Sequence, residues 1–234
     1  YYQIPWSKCV VLHNAIEPIP THVKPRDTIR LGYWSTPHRG LSILAPVFDK
    51  LCEKYDNIEL DVYSSFNLYG WSERDEPFTE LFDYCRNHPK INYHGAVANE
   101  QIRDIIQNTH IFAYPSIWME TSCISLIEAM SGGMICVHPN LAALSETAAN
   151  WTYMYQWKEN MNEHAGTFYG MLDNAIQNCF NEDLLSQLGA QKFYADAFYN
   201  WNSRANQWTS LITSMLNEPR EIQAPSAGFF EYNS

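Results

Sequence analysis

Short runs of β-branched and aliphatic residues alternate along the chain with longer runs in which apolar side chains return every three or four positions. TIRLGYWS (28–35) has the composition of a strand, and in RGLSILAPVFDKLCEKYD (39–56) Leu41, Leu44, Val47, Phe48 and Leu51 fall on one helical face. IELDVYSS (58–65) predicts a second strand, followed by a polar loop, FNLYGWSERDEP, and a helix, FTELFDYCRNH. INYHG (91–95) predicts a third strand. NEQIRDIIQN places Ile102, Ile105 and Ile106 on one face, and HIFAYPS (110–116) is a nearly continuous apolar run of the kind buried on both faces of a sheet. MICVHP (134–139) and WTYMYQW (151–157) complete the strand candidates. From about residue 159 the pattern is helical, ending in one long run near 182–217 and a Pro-rich, extended tail.

Strand and helix alternating over short connections predict right-handed crossovers and a parallel sheet covered on both faces, a Rossmann-like α/β domain. Such sheets bind ligands beyond the carboxyl ends of their strands. That rule nominates the loops 35–40, 64–70, 95–100 and 116–122, and with them Ser35, Ser64, Gly95 and Val97. The expected organisation is a connecting segment over 1–27, the domain with its closing helices over 28–217, and the tail over 218–234.

Residues 119–133, METSCISLIEAMSGG, hold the most chemistry. Thr121 or Ser122 is a suitable N-cap for a helix starting at Cys123, and Gly132 with Gly133 would end it. The free N–H groups of Cys123, Ile124 and Ser125, at the positive end of the helix dipole, would then make an anion site. Glu120 stands at its mouth, where a carboxylate would repel phosphate but accept hydrogen bonds from sugar hydroxyls. Glu128 lies inside the helix among Leu126, Ile127, Ala129 and Met130. An acid in that company is either solvated or gripping a polyol such as ribose. An isolated pair of acids at this spacing is ordinarily a pair of surface residues; the position of both beside one ligand-edge loop argues otherwise.

Composition narrows the partners. With 46% hydrophobic and 18% charged residues the 234-residue chain can bury a sizeable core. A formal charge of −11 argues against nucleic acid or an anionic membrane held through bulk electrostatics. The six cysteines are dispersed without a C-x-x-C pair, which suits free buried thiols and a reducing, cytoplasmic setting better than disulfides or a metal site. No run of 18 apolar residues predicts a transmembrane segment. No G-x-G-x-x-G follows the first strand, which disfavours a dinucleotide-dependent oxidoreductase.

The order AYPS followed by E-T-S-C-I-S-L-I-E-A-M-S-G-G resembles the donor-site signature of family 4 glycosyltransferases, in which two Glu are separated by seven residues. VVLHNAIEP (10–18) is similar to the segment joining the two domains of those enzymes, GYWSTPHRG (32–40) to their phosphate loop, INYHGAVANEQIRDIIQNTHIFAYPS to their base-binding region, and FYNWNSRANQW to their closing helix. The resemblance implies the donor-binding, carboxyl-terminal half of a GT-B enzyme. It implies retaining transfer from a UDP- or GDP-linked sugar without a metal or other cofactor, and an amino-terminal acceptor-binding domain as partner. By matching positions it implies that Glu120 contacts the donor sugar, that Glu128 holds the ribose, and that backbone groups from Thr121 to Ser125 lie near the sugar and diphosphate. Arg39 would neutralise the departing phosphate. A fixed cation there stabilises charge that grows as the glycosidic bond breaks.

The chain departs from this pattern at Tyr33, which follows Gly32 where the family commonly has Arg. Arg74 could supply the missing charge or be a solvated residue of its loop. His38 and His94 are assigned no role, and Tyr69, Trp71 and Trp118 are expected either to stack on a ligand or to pack. Nothing in the chain resembles the acceptor-binding domain, so a binding half, or a module without catalysis, is expected of it alone.

Overall fold

The structure, a computed structural model, describes residues 4–217. Strands β1 (Ile29–Trp34), β2 (Ile58–Tyr63), β3 (Ile91–Tyr93), β4 (Ile111–Ala113), β5 (Ile135–Pro139) and β6 (Tyr153–Tyr155) form one sheet in the order β3-β2-β1-β4-β5-β6. Every neighbouring pair is parallel, with Leu31 of β1 opposite both Leu60 of β2 and Ile111 of β4. The helices are α1 (Leu41–Cys52), α2 (Thr79–Asn87), α3 (Asn99–Ile106), α4 (Ile124–Ser131), α5 (Leu144–Ala148), α6 (Met161–Gln177), α7 (Glu182–Phe198) and α8 (Trp201–Asn217). This is the doubly wound arrangement that the alternation of periods predicts.

Helices on both faces explain why the central strands are apolar rather than alternating. Leu31, Leu60, Phe112 and Ala113 are fully buried, as are Leu44 and Phe48 of α1 and Leu126, Ile127 and Met130 of α4. Each large side chain removed from water in this way contributes about 1.5–3 kcal/mol. The segment before β1 is tied to the domain as well. Ile16 and Ile19 are buried, the Ile16 N–H donates to the Tyr199 carbonyl at 2.7 Å, and the Ile19 N–H donates to Ser131 Oγ at 2.8 Å.

Several expectations change. The helical run near 182–217 is two helices, broken at Tyr199 and Asn200. Those residues hold the segment containing Ile16 through the hydrogen bond above and an isolated bridge from Ile16 to Asn200, and Asn200 Oδ1 accepts from the Ser203 N–H at 2.8 Å to start α8. Gly32 and Tyr33 lie inside β1 rather than in the loop. The buried Tyr33 hydroxyl donates to the Thr36 carbonyl at 2.8 Å, so this position is part of the core and presents no charge to a ligand. Residues 66–77, expected as a loop, contain most of two 3-10 turns, Phe66–Tyr69 and Ser72–Phe78, and α5 arises where no element is expected. The tail at 218–234 lies outside the described residues.

Candidate functional site

The strand order reverses between β1 and β4, so the loops leaving these two strands diverge around a crevice. After β1 the chain makes a 3-10 turn, Pro37–Arg39, and enters α1 through Gly40 at φ +128°. A Cβ at Gly40 would stand 2.3 Å from the Pro115 carbonyl oxygen, so only glycine allows this contact between the β1 and β4 loops. The contact carries Arg39 across the crevice. Its Nη1 donates to Glu120 Oε1 at 2.9 Å, and the Tyr114 hydroxyl donates to the same oxygen at 2.6 Å. Glu120 is buried by this arrangement. Burial opposes the charge on Arg39, but the adjacent Glu120 and Tyr114 outweigh it and hold the guanidinium above its ordinary pKa.

Glu128 has a different setting. It is buried in the middle of α4 and opens into a cavity of about 130 Å³ whose walls include Ser35, Gly95, Val97, Ile124 and Ser125. Asn99 Nδ2 donates to Glu128 Oε1 at 3.0 Å. Burial raises the Glu128 pKa, while the Asn99 amide and the charge of Arg103 act in the opposite direction. The cavity is bounded by carboxyl-end loops from three strands, and its lining combines apolar walls from Trp34, Leu68 and Ile102 with a few polar groups. That is the composition of a small-molecule site.

The nominated residues therefore divide. Ser35, Gly95, Val97, Ile124, Ser125 and Glu128 line one cavity, whereas Arg39 and Glu120 form an ion pair beside it. Thr121 is exposed, and Ser122 Oγ accepts from Asn14 Nδ2 at 2.9 Å. Neither caps the helix. α4 starts at Ile124, one residue later than expected, with Cys123 at the N-cap and no side-chain cap; the β4 loop must first turn to bury Cys123, whose thiol is pushed up to about 12 by burial. Ser125 Oγ donates to the Trp34 carbonyl at 3.0 Å, which ties α4 to the end of β1. Ser64 is buried beside β2, and its carbonyl accepts from the Tyr93 hydroxyl at 2.7 Å.

Arg74 is exposed and lies over the Trp71 ring, 4.4 Å from its centroid, which accounts for it without a ligand. His94 Nε2 is 2.9 Å from Asp61 Oδ1 and its ring stacks on Tyr63; His38 stacks on Phe66 and meets Trp118 edge-on. Neither Tyr114 nor Asn99 is singled out by the sequence, although Asn99 falls within the nominated loop 95–100. Tyr114 reads as core because it extends a buried strand, and Asn99 sits 29 residues from Glu128, a separation that no local pattern encodes.

Buried polar atoms without a partner among the described residues include Trp34 Nε1, Thr36 Oγ1, His38 Nδ1, Arg39 Nε and Ser64 Oγ. All five flank the carboxyl ends of β1 and β2. Since buried polar groups are ordinarily paired, their concentration here marks a polar binding region. A larger cavity, about 270 Å³, opens at the opposite end of the sheet between Val23, Lys24, Ile135 and Phe180. Its Lys24 ammonium is already taken up by the Ile106 and Thr109 carbonyls at the end of α3.

A parallel sheet of this order, with its candidate site at the β1–β4 crevice, defines the class: a Rossmann-like, doubly wound α/β domain. Superposition agrees. A glycosyltransferase from Rickettsia africae matches with a TM-score of 0.68 at 15% identity, covering 83% of this chain and 50% of that one. The pneumococcal O-GlcNAc transferase GtfA, solved in complex with UDP and GlcNAc, matches with a TM-score of 0.64 at 12% identity, covering 87% and 39%. The chain belongs to the family described as glycosyl transferases group 1, whose model matches residues 35–165, more than half its length. Among curated relatives, one component of the human phosphatidylinositol N-acetylglucosaminyltransferase is 24% identical over 145 residues, 58% of this chain and 28% of that protein. The GPI3 component of the corresponding Saccharomyces cerevisiae enzyme is 19% identical over 181 residues, 76% of this chain and 37% of that protein. The chain thus spans about a third of the length of these relatives.

Proposed function

We propose that the chain is the donor-binding half of a retaining, metal-independent family 4 glycosyltransferase that takes a UDP- or GDP-linked sugar. The observation that carries this reading is Glu128, a buried acid flanked by Leu126, Ile127, Ala129 and Met130 in α4, opening into the carboxyl-end cavity beside the start of that helix. In this reading Glu128 accepts from the ribose hydroxyls and the base lies against the backbone at Gly95 and Val97. The diphosphate lies over the amides at the start of α4, with Arg39 as its cation. Glu120 takes the donor sugar once Arg39 turns from it to phosphate. Because an ionised acid beside Arg39 partly cancels the charge that the diphosphate needs, exchange of partners couples diphosphate arrival to exposure of Glu120. An acceptor must be held against the anomeric carbon for transfer, which is the work of an amino-terminal domain. An N-acetylglucosaminyl donor, suggested by the names of the relatives above, is the first to test.

Calorimetric titration with UDP and GDP, bare and sugar-linked, tests the reading. Heat with one base and saturation at one site are expected; silence with both overturns it. The engagement of Glu120 by Arg39 and Tyr114 favours a second reading, a module that binds the nucleotide sugar without turning it over. Donor binding by the full parent polypeptide with no release of nucleoside diphosphate, acceptor present, would select that one.

A further inference from the structure

We propose that Asn99 is a positioning residue that aims Glu128 at the ribose, an inference that rests on the functional reading above. Asn99 opens α3, Glu128 lies in the middle of α4, and the two helices are pressed together: a Cβ added to Gly132, just after α4, would stand 2.1 Å from Ile106 Cγ2 of α3. At the other end of this contact the Asn99 amide donates to Glu128 Oε1 at 3.0 Å. One hydrogen bond to one carboxylate oxygen fixes the rotation of the terminal torsion, which is otherwise broad. Oε2 is left without a protein partner among the described residues, and both side chains border the cavity. An amide can serve in this place where an ionised acid could not, since its N–H donates a hydrogen bond at any ordinary pH.

The surroundings of Glu128 leave this task to Asn99. Arg103, the nearby cation of α3, turns its guanidinium outward to the carbonyls of Glu17 and Pro18 at 2.8 and 3.2 Å. Ser125 of α4 donates to the Trp34 carbonyl, and on α7 Lys192 and Asp196 pair with one another beside Ser131. Tyr63 of β2 and Cys123 supply no donor to the carboxylate among the described hydrogen bonds.

Asn99 is itself exposed, and an acid in the first turn of a helix is favourable, so Asn99→Asp preserves shape and folding while replacing the donor by a second acceptor. The test titrates UDP and GDP, each beside its 2′,3′-dideoxy counterpart, against wild type, Asn99→Ala, Asn99→Asp, Glu128→Gln and the Asn99→Ala/Glu128→Gln double variant. Asn99→Ala should lose about tenfold in affinity for the ribonucleotide, Asn99→Asp more, and both less than about twofold for the dideoxy form. In the Glu128→Gln background Asn99→Ala should cost nothing further, because the two residues act as one unit. Equal losses on both sugars, additive losses in the double variant, or unchanged ribonucleotide affinity in Asn99→Ala would each overturn the assignment. Wild type binding neither ribonucleotide would instead overturn the functional reading itself.

Discussion

Glu120 and Glu128 come from one motif and end in different environments. Glu120 is held by a cation and a phenol on one oxygen, whereas Glu128 is held by a single amide and faces a cavity. Their substitutions should therefore differ. Burial raises the Glu128 pKa, so the folded chain binds that proton more tightly than the unfolded one; stability from this group is complete at low pH and is lost as pH rises through the raised value. Glu128→Gln should accordingly leave thermal stability at pH 7 equal to or above that of wild type, while nucleoside diphosphate affinity falls about 10- to 100-fold, as expected for losing a charged hydrogen-bond acceptor. Melting curves and titration together check this, and a destabilised variant with intact affinity would make Glu128 a structural residue. Glu120→Gln frees Arg39 from its anionic partner. Affinity for a bare nucleoside diphosphate should hold or rise, whereas affinity for the sugar-linked donor should fall; equal losses for both ligands would remove Glu120 from the sugar subsite. Neither divergence is visible in the motif, since Arg39 and Asn99 arrive from other loops and Tyr114, six residues before Glu120, reads there as an extension of a buried strand.

At the scale of elements, the same residues that look ordinary in sequence decide how the loops meet. Gly40 lets the β1 loop lie against Pro115, and replacing it by Ala forces both a positive φ on an L-residue and an overlap with the Pro115 carbonyl. Gly40→Ala should destabilise the chain by more than the ~1 kcal/mol typical of backbone substitutions and should separate Arg39 from Glu120, read by urea melts and by loss of diphosphate affinity. Of α1 to α8, α8 has the fewest buried residues. Arg204 is its buried residue among those described, donating to the carbonyls of Asn14 and Phe198 at 3.3 Å, while Trp201, Trp208 and Met215 stay exposed. Arg204→Ala should accelerate amide exchange across residues 201–217 and leave exchange in β1 and β4 unchanged. A helical period announced this region as a helix, but the break at Tyr199 and Asn200 follows from a contact with a segment more than 180 residues earlier.

At the scale of the whole molecule, the proposed role is that of a donor-binding half, which holds a donor without an acceptor set against its anomeric carbon. The chain by itself should release no nucleoside diphosphate from a sugar donor in the presence of acceptor; turnover by the chain alone would refute this division of labour. Among the described residues no helix is long and apolar enough to cross a membrane. The parallel sheet was legible in the sequence because burial on two faces forces continuous apolar strands, and helix periods between them force crossovers. The same alternation told which loops stand at the carboxyl ends of the strands, so the chain by itself determined the sheet, its carboxyl-end crevice and the carboxylates near it. Tertiary structure alone decided which groups share a cavity, that Tyr33 is core rather than part of the site, that Arg39 closes on Glu120, and that Asn99 meets Glu128. The contacts of Arg39 with Glu120 and of Asn99 with Glu128 join side chains 81 and 29 residues apart. They depend on loop geometry and helix packing at the ångström scale, whereas hydrophobic periodicity records only which face of an element is turned away from water.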